Sequence, residues 1–150
     1  MNTLKVGDKA PNFVIKDNQG IVRKLADYSG KKLVIFFYPK ASTPGCTAEA
    51  CNLRDHYQTF IAQGYEILGV SADSEKRQNN FVTKYELPFP LLADEDHIVI
   101  NGFGVWGPKK FMGKEYDGIH RTTFIIDEKG IIEDVILKVK TKAHAAQILE

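Results

Sequence analysis

The chain reads as an α/β protein of one domain, 1–150, in which a parallel β-α-β unit is followed by an antiparallel hairpin and a closing helix. Three observations lead there. Three runs have the β-branched and aromatic content of buried strands: Leu33-Val34-Ile35-Phe36-Phe37-Tyr38, Tyr65-Glu66-Ile67-Leu68-Gly69-Val70-Ser71 and Thr122-Thr123-Phe124-Ile125-Ile126-Asp127. Apolar residues at helical spacing separate the first two runs. A turn sequence, Asp127-Glu128-Lys129-Gly130, follows the third.

Taken in order, Asp17-Asn18-Gln19-Gly20 predicts a hairpin ahead of the first core strand. Residues 33–38 and 65–71 are expected to be adjacent and parallel. The reason is the segment 47–63, where Ala50, Leu53, Tyr57, Phe60 and Ile61 form one apolar helical face and Gly64 ends the helix. A second helix over 74–85 starts at a Ser74 cap, places Phe81, Val82 and Tyr85 together, and is ended by Pro88 and Pro90. A long insert, 94–120, precedes the third core strand. Residues 131–139 supply the second arm of the hairpin, and 142–149 read as the closing helix. This is the element order of a thioredoxin-like fold with an N-terminal β-hairpin extension and an insert before the third core strand.

Composition narrows the function. A chain of 150 residues buries about two-thirds of its unfolded surface. With 43% hydrophobic and 26% charged residues it has the balance of a soluble globular protein. Its 20 basic and 19 acidic side chains nearly cancel, so no broad field argues for nucleic acid or an anionic membrane as partner. The N-terminus lacks a signal-like apolar run and no segment approaches ~20 apolar residues, so a cytoplasmic location is expected. The 2 cysteines, Cys46 and Cys51, are too few for a secreted disulfide framework. In a reducing compartment such a pair is catalytic or metal-binding.

The strand 33–38 runs into Pro39-Lys40-Ala41-Ser42-Thr43-Pro44-Gly45-Cys46-Thr47-Ala48-Glu49-Ala50-Cys51. Thr43 suits a helix cap and Pro44 the first helical position, where proline's fixed φ and missing N–H are tolerated. Cys46 then lies in the first turn, where unpaired N–H groups and the helix dipole favour an anion and hence a nucleophilic thiolate. A core cysteine needs neither this helix start nor a second cysteine five positions later.

The Pro39-x-x-x-Thr43-x-x-Cys46 pattern resembles the peroxidatic signature of the peroxiredoxins, and Lys40 to Thr47 with Cys51 following is similar to the bacterioferritin-comigratory-protein, or Q, subfamily. The resemblance extends over Gly7-Asp8-Lys9-Ala10-Pro11-Asn12-Phe13, Gly69-Val70-Ser71, Gly104-Val105-Trp106-Gly107 and Arg121-Thr122-Thr123-Phe124-Ile125-Ile126-Asp127. It implies a thiol peroxidase for hydrogen peroxide and organic hydroperoxides, with an active site of Cys46, Thr43, Pro39 and Arg121. It further implies a Cys46 sulfenic acid resolved by Cys51 as an intramolecular disulfide and recycled by thioredoxin or a similar reductant. Arg121 and the Thr43 hydroxyl would stabilise charge moving onto the leaving oxygen, and Pro39 would shield the sulfur. Glu49, three residues after Cys46, is placed to hold Arg121, although a carboxylate there is ordinarily a solvated helix residue.

Other residue classes add less. His56, His97, His120 and His144 have no spacing that joins the cysteines in a zinc site, and they read as surface or loop residues. Tyr38, Phe37 and Phe103 read as core or pocket wall, and Trp106 as a flank of the active site. No Gly-rich phosphate loop follows a strand, so no cofactor and no metal are expected. The rival function, a thioredoxin-type dithiol-disulfide oxidoreductase, lacks its Cys-x-x-Cys spacing and has Arg121-Thr122 where a cis-proline would precede the third core strand. A zinc or scaffold domain finds no matching histidine pair. Because Cys51 lies in the same chain as Cys46, a monomer suffices.

Overall fold

The computed structural model describes residues 1–149. β1 (Val14–Lys16) and β2 (Val22–Lys24) form the expected N-terminal antiparallel hairpin. Its turn is organised by Asp17, whose Oδ1 accepts the Gln19 and Ile21 amides at 2.8 and 3.0 Å. A short 3-10 turn, Leu25–Tyr28, leads into β3 (Lys32–Phe37). Then come α1 (Pro44–Asp55), α2 (Tyr57–Ala62), β4 (Tyr65–Ser71), α3 (Glu75–Tyr85) and β5 (Leu91–Ala93). The insert holds α4 (Ile98–Phe103) and a hairpin of β6 (Trp106–Phe111) and β7 (Lys114–Ile119). The chain closes with β8 (Thr122–Ile126), β9 (Ile132–Ile136) and α5 (His144–Leu149).

The central sheet has the order β5-β4-β3-β8-β9, with β3 parallel to β4 and antiparallel to β8, the topology of the thioredoxin-like fold. Strand periodicity sorts its side chains into two cores. Leu33, Ile35 and Phe37 of β3 pack with Phe13, Val99, Phe103 and Phe124 on one face. Val34, Phe36 and Tyr38 pack with Cys46, Ala50, Leu53, Phe60, Phe81 and Ile148 on the other. The apolar runs are unbroken because both faces are covered. At Gly69 a Cβ would lie 2.5 Å from Leu91 and 2.8 Å from Phe36, so the absent side chain lets the Phe36 ring cross β4.

Differences from the sequence reading have local causes. The helix expected over 47–63 is two helices, broken at His56. There the amide of His56 bonds to Leu53 O at 3.2 Å, while its ring Nδ1 lies 2.9 Å from Asn52 O, the carbonyl that a continuous helix would have paired with that amide. The helix 74–85 begins at its Ser74 cap as expected, but it ends before either proline, at Glu86 in a left-handed conformation with φ 51°. β5 escaped notice because three residues after Pro90 carry no periodic pattern. The last helix starts at His144 rather than residue 142, and the arm after β8 is paired only over Ile132–Ile136.

Candidate active site

The loop between β3 and α1 is held from beneath. Asp73, just past β4, accepts the Ala41 amide at 2.8 Å and the Ser71 hydroxyl at 2.6 Å. The buried Gln78 side chain ties Ser71 Oγ and Leu92 O to this network, and the Tyr38 hydroxyl donates to Gln78 Oε1 at 2.5 Å. Ser42 takes φ 64°, a left-handed conformation that turns the chain so that Thr43 becomes the helix N-cap and Pro44 the first helical residue. Thr43 occupies the cap position, but its hydroxyl does not cap: it donates to Lys40 O at 2.8 Å.

Cys46 sits in the first turn of α1 as expected, fully buried at 0% exposure. Arg121, just before β8, reaches it from across the sheet: Nη2 donates to Cys46 Sγ at 3.3 Å and Nη1 to Glu49 Oε1 at 2.8 Å. Gly45 gives the guanidinium room, since a Cβ there would lie 3.2 Å from Nη2, a tight contact. Burial opposes the Arg121 charge, but Cys46 and Glu49 outweigh it and its pKa is raised. Lys109 of β6, anchored to Ile119 O at 2.8 Å, is a second nearby cation. Its pKa is lowered by partial burial and by Arg121, against the pull of Cys46. A cleft beside Arg121 is walled by Met1, Lys109, His120, Leu137 and Val139. Pro39 is half-buried at the start of the loop.

Cys51 lies on the same helix, half-buried, and both thiols are free. Burial pushes the Cys51 thiol up, with Arg54 opposing and Asp55 assisting, so it is a weak nucleophile where it stands.

Three readings of single residues need correction. Glu49 is not solvated: it is buried at 0% exposure, and burial pushes its carboxyl up to about 7 against the pull of Arg121. His144 is not a surface residue. It is fully buried, with Nε2 2.7 Å from Thr123 Oγ1 and 3.5 Å from Glu49 Oε2. Trp106 does not flank Cys46: its ring lies 4.4 Å from that of His97 and it packs with the Phe103 cluster on the other face of the sheet. For Glu49 the available signal was its helical spacing from Cys46. For His144 and the Ser71–Asp73–Gln78 network no local signal existed.

A second concavity, lined by Leu25, Tyr28, Leu33, Asp127 and Gly130, opens at the far end of β3 from Cys46, and neither cysteine lines it. Among the described residues no group of three or more His, Cys, Asp or Glu is placed to hold a metal ion, and no helix is long and apolar enough to cross a membrane.

Comparison with known proteins gives a consistent picture. The AhpC/TSA family profile matches residues 6–135. A putative peroxiredoxin Bcp of Haemophilus influenzae is 49% identical over 150 residues, 100% of this chain and 97% of that protein. A PrxQ mutant of Xylella fastidiosa superposes with a TM-score of 0.93 at 31% identity, over 99% of this chain and 95% of that one. The bacterioferritin comigratory protein of Xanthomonas campestris, solved as trapped intermediate and ligand complexes bearing on its alkyl peroxide reduction, superposes with a TM-score of 0.86 at 37% identity, over 91% of this chain and 87% of that one.

Proposed function

Because the chain belongs to the AhpC/TSA family and is a thiol peroxidase, we propose that Cys46 is its peroxide-reactive thiol and Cys51 the thiol that resolves it. The observation that carries this reading is the Arg121 guanidinium 3.3 Å from a fully buried sulfur at a helix start. Held there by Glu49, the cation lies where negative charge leaves sulfur and arrives on the peroxide, and a prearranged, partly buried donor stabilises that shift more than a mobile one in water.

In the first step the Cys46 thiolate attacks the terminal oxygen of the hydroperoxide. An S–O bond forms and the O–O bond breaks, with its electron pair going to the leaving oxygen. That oxygen takes up a proton and departs as water or an alcohol, leaving sulfur as a sulfenic acid. Thr43 lies one helical turn before Cys46, and its hydroxyl donates to the substrate by swinging its proton from Lys40 O. Pro39 limits water at the sulfur. In the second step the Cys51 sulfur displaces the sulfenic oxygen as water and the disulfide forms. A dithiol reductant, thioredoxin or a similar protein, then returns both thiols and is itself oxidised.

Resolution within one chain leaves a monomer sufficient, and a cytoplasmic setting supplies the reductant. The test is peroxide consumption with a thiol reductant: Cys46→Ser should abolish turnover, because a hydroxyl is too weak an acid to replace the thiolate. Substantial residual turnover would remove Cys46 from the mechanism.

A further inference from the structure

The Glu49 and His144 side chains meet beneath Arg121, and their hydrogen bonds constrain where protons reside. Gln147 Nε2 donates to Lys138 O at 3.0 Å, which turns Gln147 Oε1 toward the Lys140 amide at 2.9 Å and His144 Nδ1 at 2.8 Å. Nδ1 therefore carries a hydrogen. The other ring nitrogen, Nε2, faces Thr123 Oγ1 at 2.7 Å and Glu49 Oε2 at 3.5 Å. Glu49 Oε2 is a buried oxygen with no hydrogen-bond partner, while Oε1 is taken by Arg121. With Nε2 bare and Glu49 ionised, the Thr123 hydroxyl could donate its one hydrogen to Nε2, but Glu49 Oε2 would remain a fully buried carboxylate oxygen facing a lone pair with no donor, an arrangement that costs several times an ordinary hydrogen bond. One proton between them removes the conflict, whether it resides on Oε2 or on Nε2.

We propose that His144 is a positioning residue of the peroxidase reaction: with Glu49 it retains one proton beneath Arg121, so that the pair stays uncharged overall and the guanidinium charge is left to the Cys46 sulfur. This deepens the reading above and rests on Cys46 and Arg121 being the reacting thiol and its cation. Burial pushes Glu49 up to about 7. Burial also lowers His144, with Gln147 opposing and Arg121 assisting. Both shifts disfavour the state in which both groups are charged. The titratable and charged groups around the pair are Cys46 on the same helix as Glu49, Arg121 ahead of β8, Lys109 from β6 behind Arg121, and Tyr38 at the end of β3, whose hydroxyl is committed to Gln78. None of these offers Oε2 a hydrogen.

The sign of the pH effect follows. With the proton bound, the pair is neutral overall and Arg121 serves the thiolate and the transition state. When rising pH removes that proton, a net negative charge appears one helical turn from the reacting sulfur and draws on the same guanidinium, so the reaction slows.

The experiment is the second-order rate of Cys46 oxidation by hydrogen peroxide as a function of pH, in the full-length reduced protein. The wild-type profile should show a falling limb as the pair deprotonates. In His144→Phe only Glu49 remains to hold the proton. Its falling limb should move down by about one pH unit, which is about a tenfold loss of rate at a fixed pH on that limb. Glu49→Gln, permanently neutral and still able to accept from Arg121, should lack the falling limb. A merely structural role for His144 would lower the rate at every pH without moving the limb, and that result overturns the proposal, as does a wild-type profile with no falling limb. Ring-nitrogen NMR of His144 and the infrared carboxyl band of Glu49, both read on the wild type, need no folded variant: a bare Nε2 beside an ionised Glu49 at neutral pH also overturns it. Loss of turnover in Cys46→Ser tests the underlying peroxidase reading separately, since the pH limb is read in proteins that still react.

Discussion

Forming the Cys46–Cys51 disulfide should unwind α1. Both residues lie on the continuous helix Pro44–Asp55. Five residues at ~1.5 Å rise and ~2.3 Å radius put their Cα atoms about 8.7 Å apart on nearly opposite faces. A disulfide tolerates about 7 Å at most. Opening the reduced helix exposes the fully buried Leu53 and Ala50. Leu53 contributes about 1.5–3 kcal/mol and the Ala50 methyl about 0.8. The opening therefore costs about 3 kcal/mol, which is about a hundredfold in hydrogen-exchange protection. Unwinding also frees Asn52, which now caps α5 by accepting the Ala145 amide at 2.8 Å and donating to Lys142 O at 3.1 Å. Amide exchange on the two redox forms is the assay. Residues 47–53 should be protected about a hundredfold in the dithiol form and nearly unprotected in the disulfide form, and the Ala145 amide should lose protection with them. Equal protection of 47–53 in both forms would refute the reasoning, because the bond would then form without opening the helix.

Other expectations are simpler. Cys51→Ala should leave the first oxidation intact and let the sulfenic acid pass to sulfinic acid under excess peroxide, seen as added oxygen by intact mass. Arg121→Lys keeps a cation but loses the fork that grips Cys46 and Glu49 together, so the rate of Cys46 oxidation should fall by about one to two orders of magnitude, measured by stopped-flow with the circular dichroism spectrum unchanged. Gly69→Ala adds a methyl 2.5 Å from Leu91 and 2.8 Å from Phe36. It should lower stability by about 1–3 kcal/mol in urea titration, with little effect on the rate constant per folded molecule.

The sheet was legible because β3, β4 and β8 are buried on both faces and must be apolar throughout. The Cys46 helix start was legible because a proline and a cap-type residue fix its register. What the sequence hid depends on partners distant along the chain. Glu49 looks like any helical carboxylate until Arg121, 72 residues on, is seen bonded to it. His144 looks like one surface histidine among several until the fold sets it on Thr123 and Glu49. The break after Asp55 was missed because a helical apolar pattern runs through His56, and the interruption comes from that side chain taking a backbone carbonyl. Thr43 shows the reverse case: the cap position was right, but Lys40 O won its hydroxyl.

The interruption at His56 also sets a boundary for melting. A helix unravels cooperatively because each hydrogen bond is supported by the next, and a gap in that ladder lets the two sides behave as separate units. α1 can thus dissolve and re-form while α2 keeps Phe60 edge-on to Tyr65, at 5.8 Å between ring centroids, and with it the lower half of that core. Apart from the Asn52 contacts to Lys142 and Ala145, the unwinding expected on disulfide formation would be confined to the 12 residues of α1. Substitutions on exposed positions of α1 would then adjust how readily the disulfide closes without loosening the rest of the molecule.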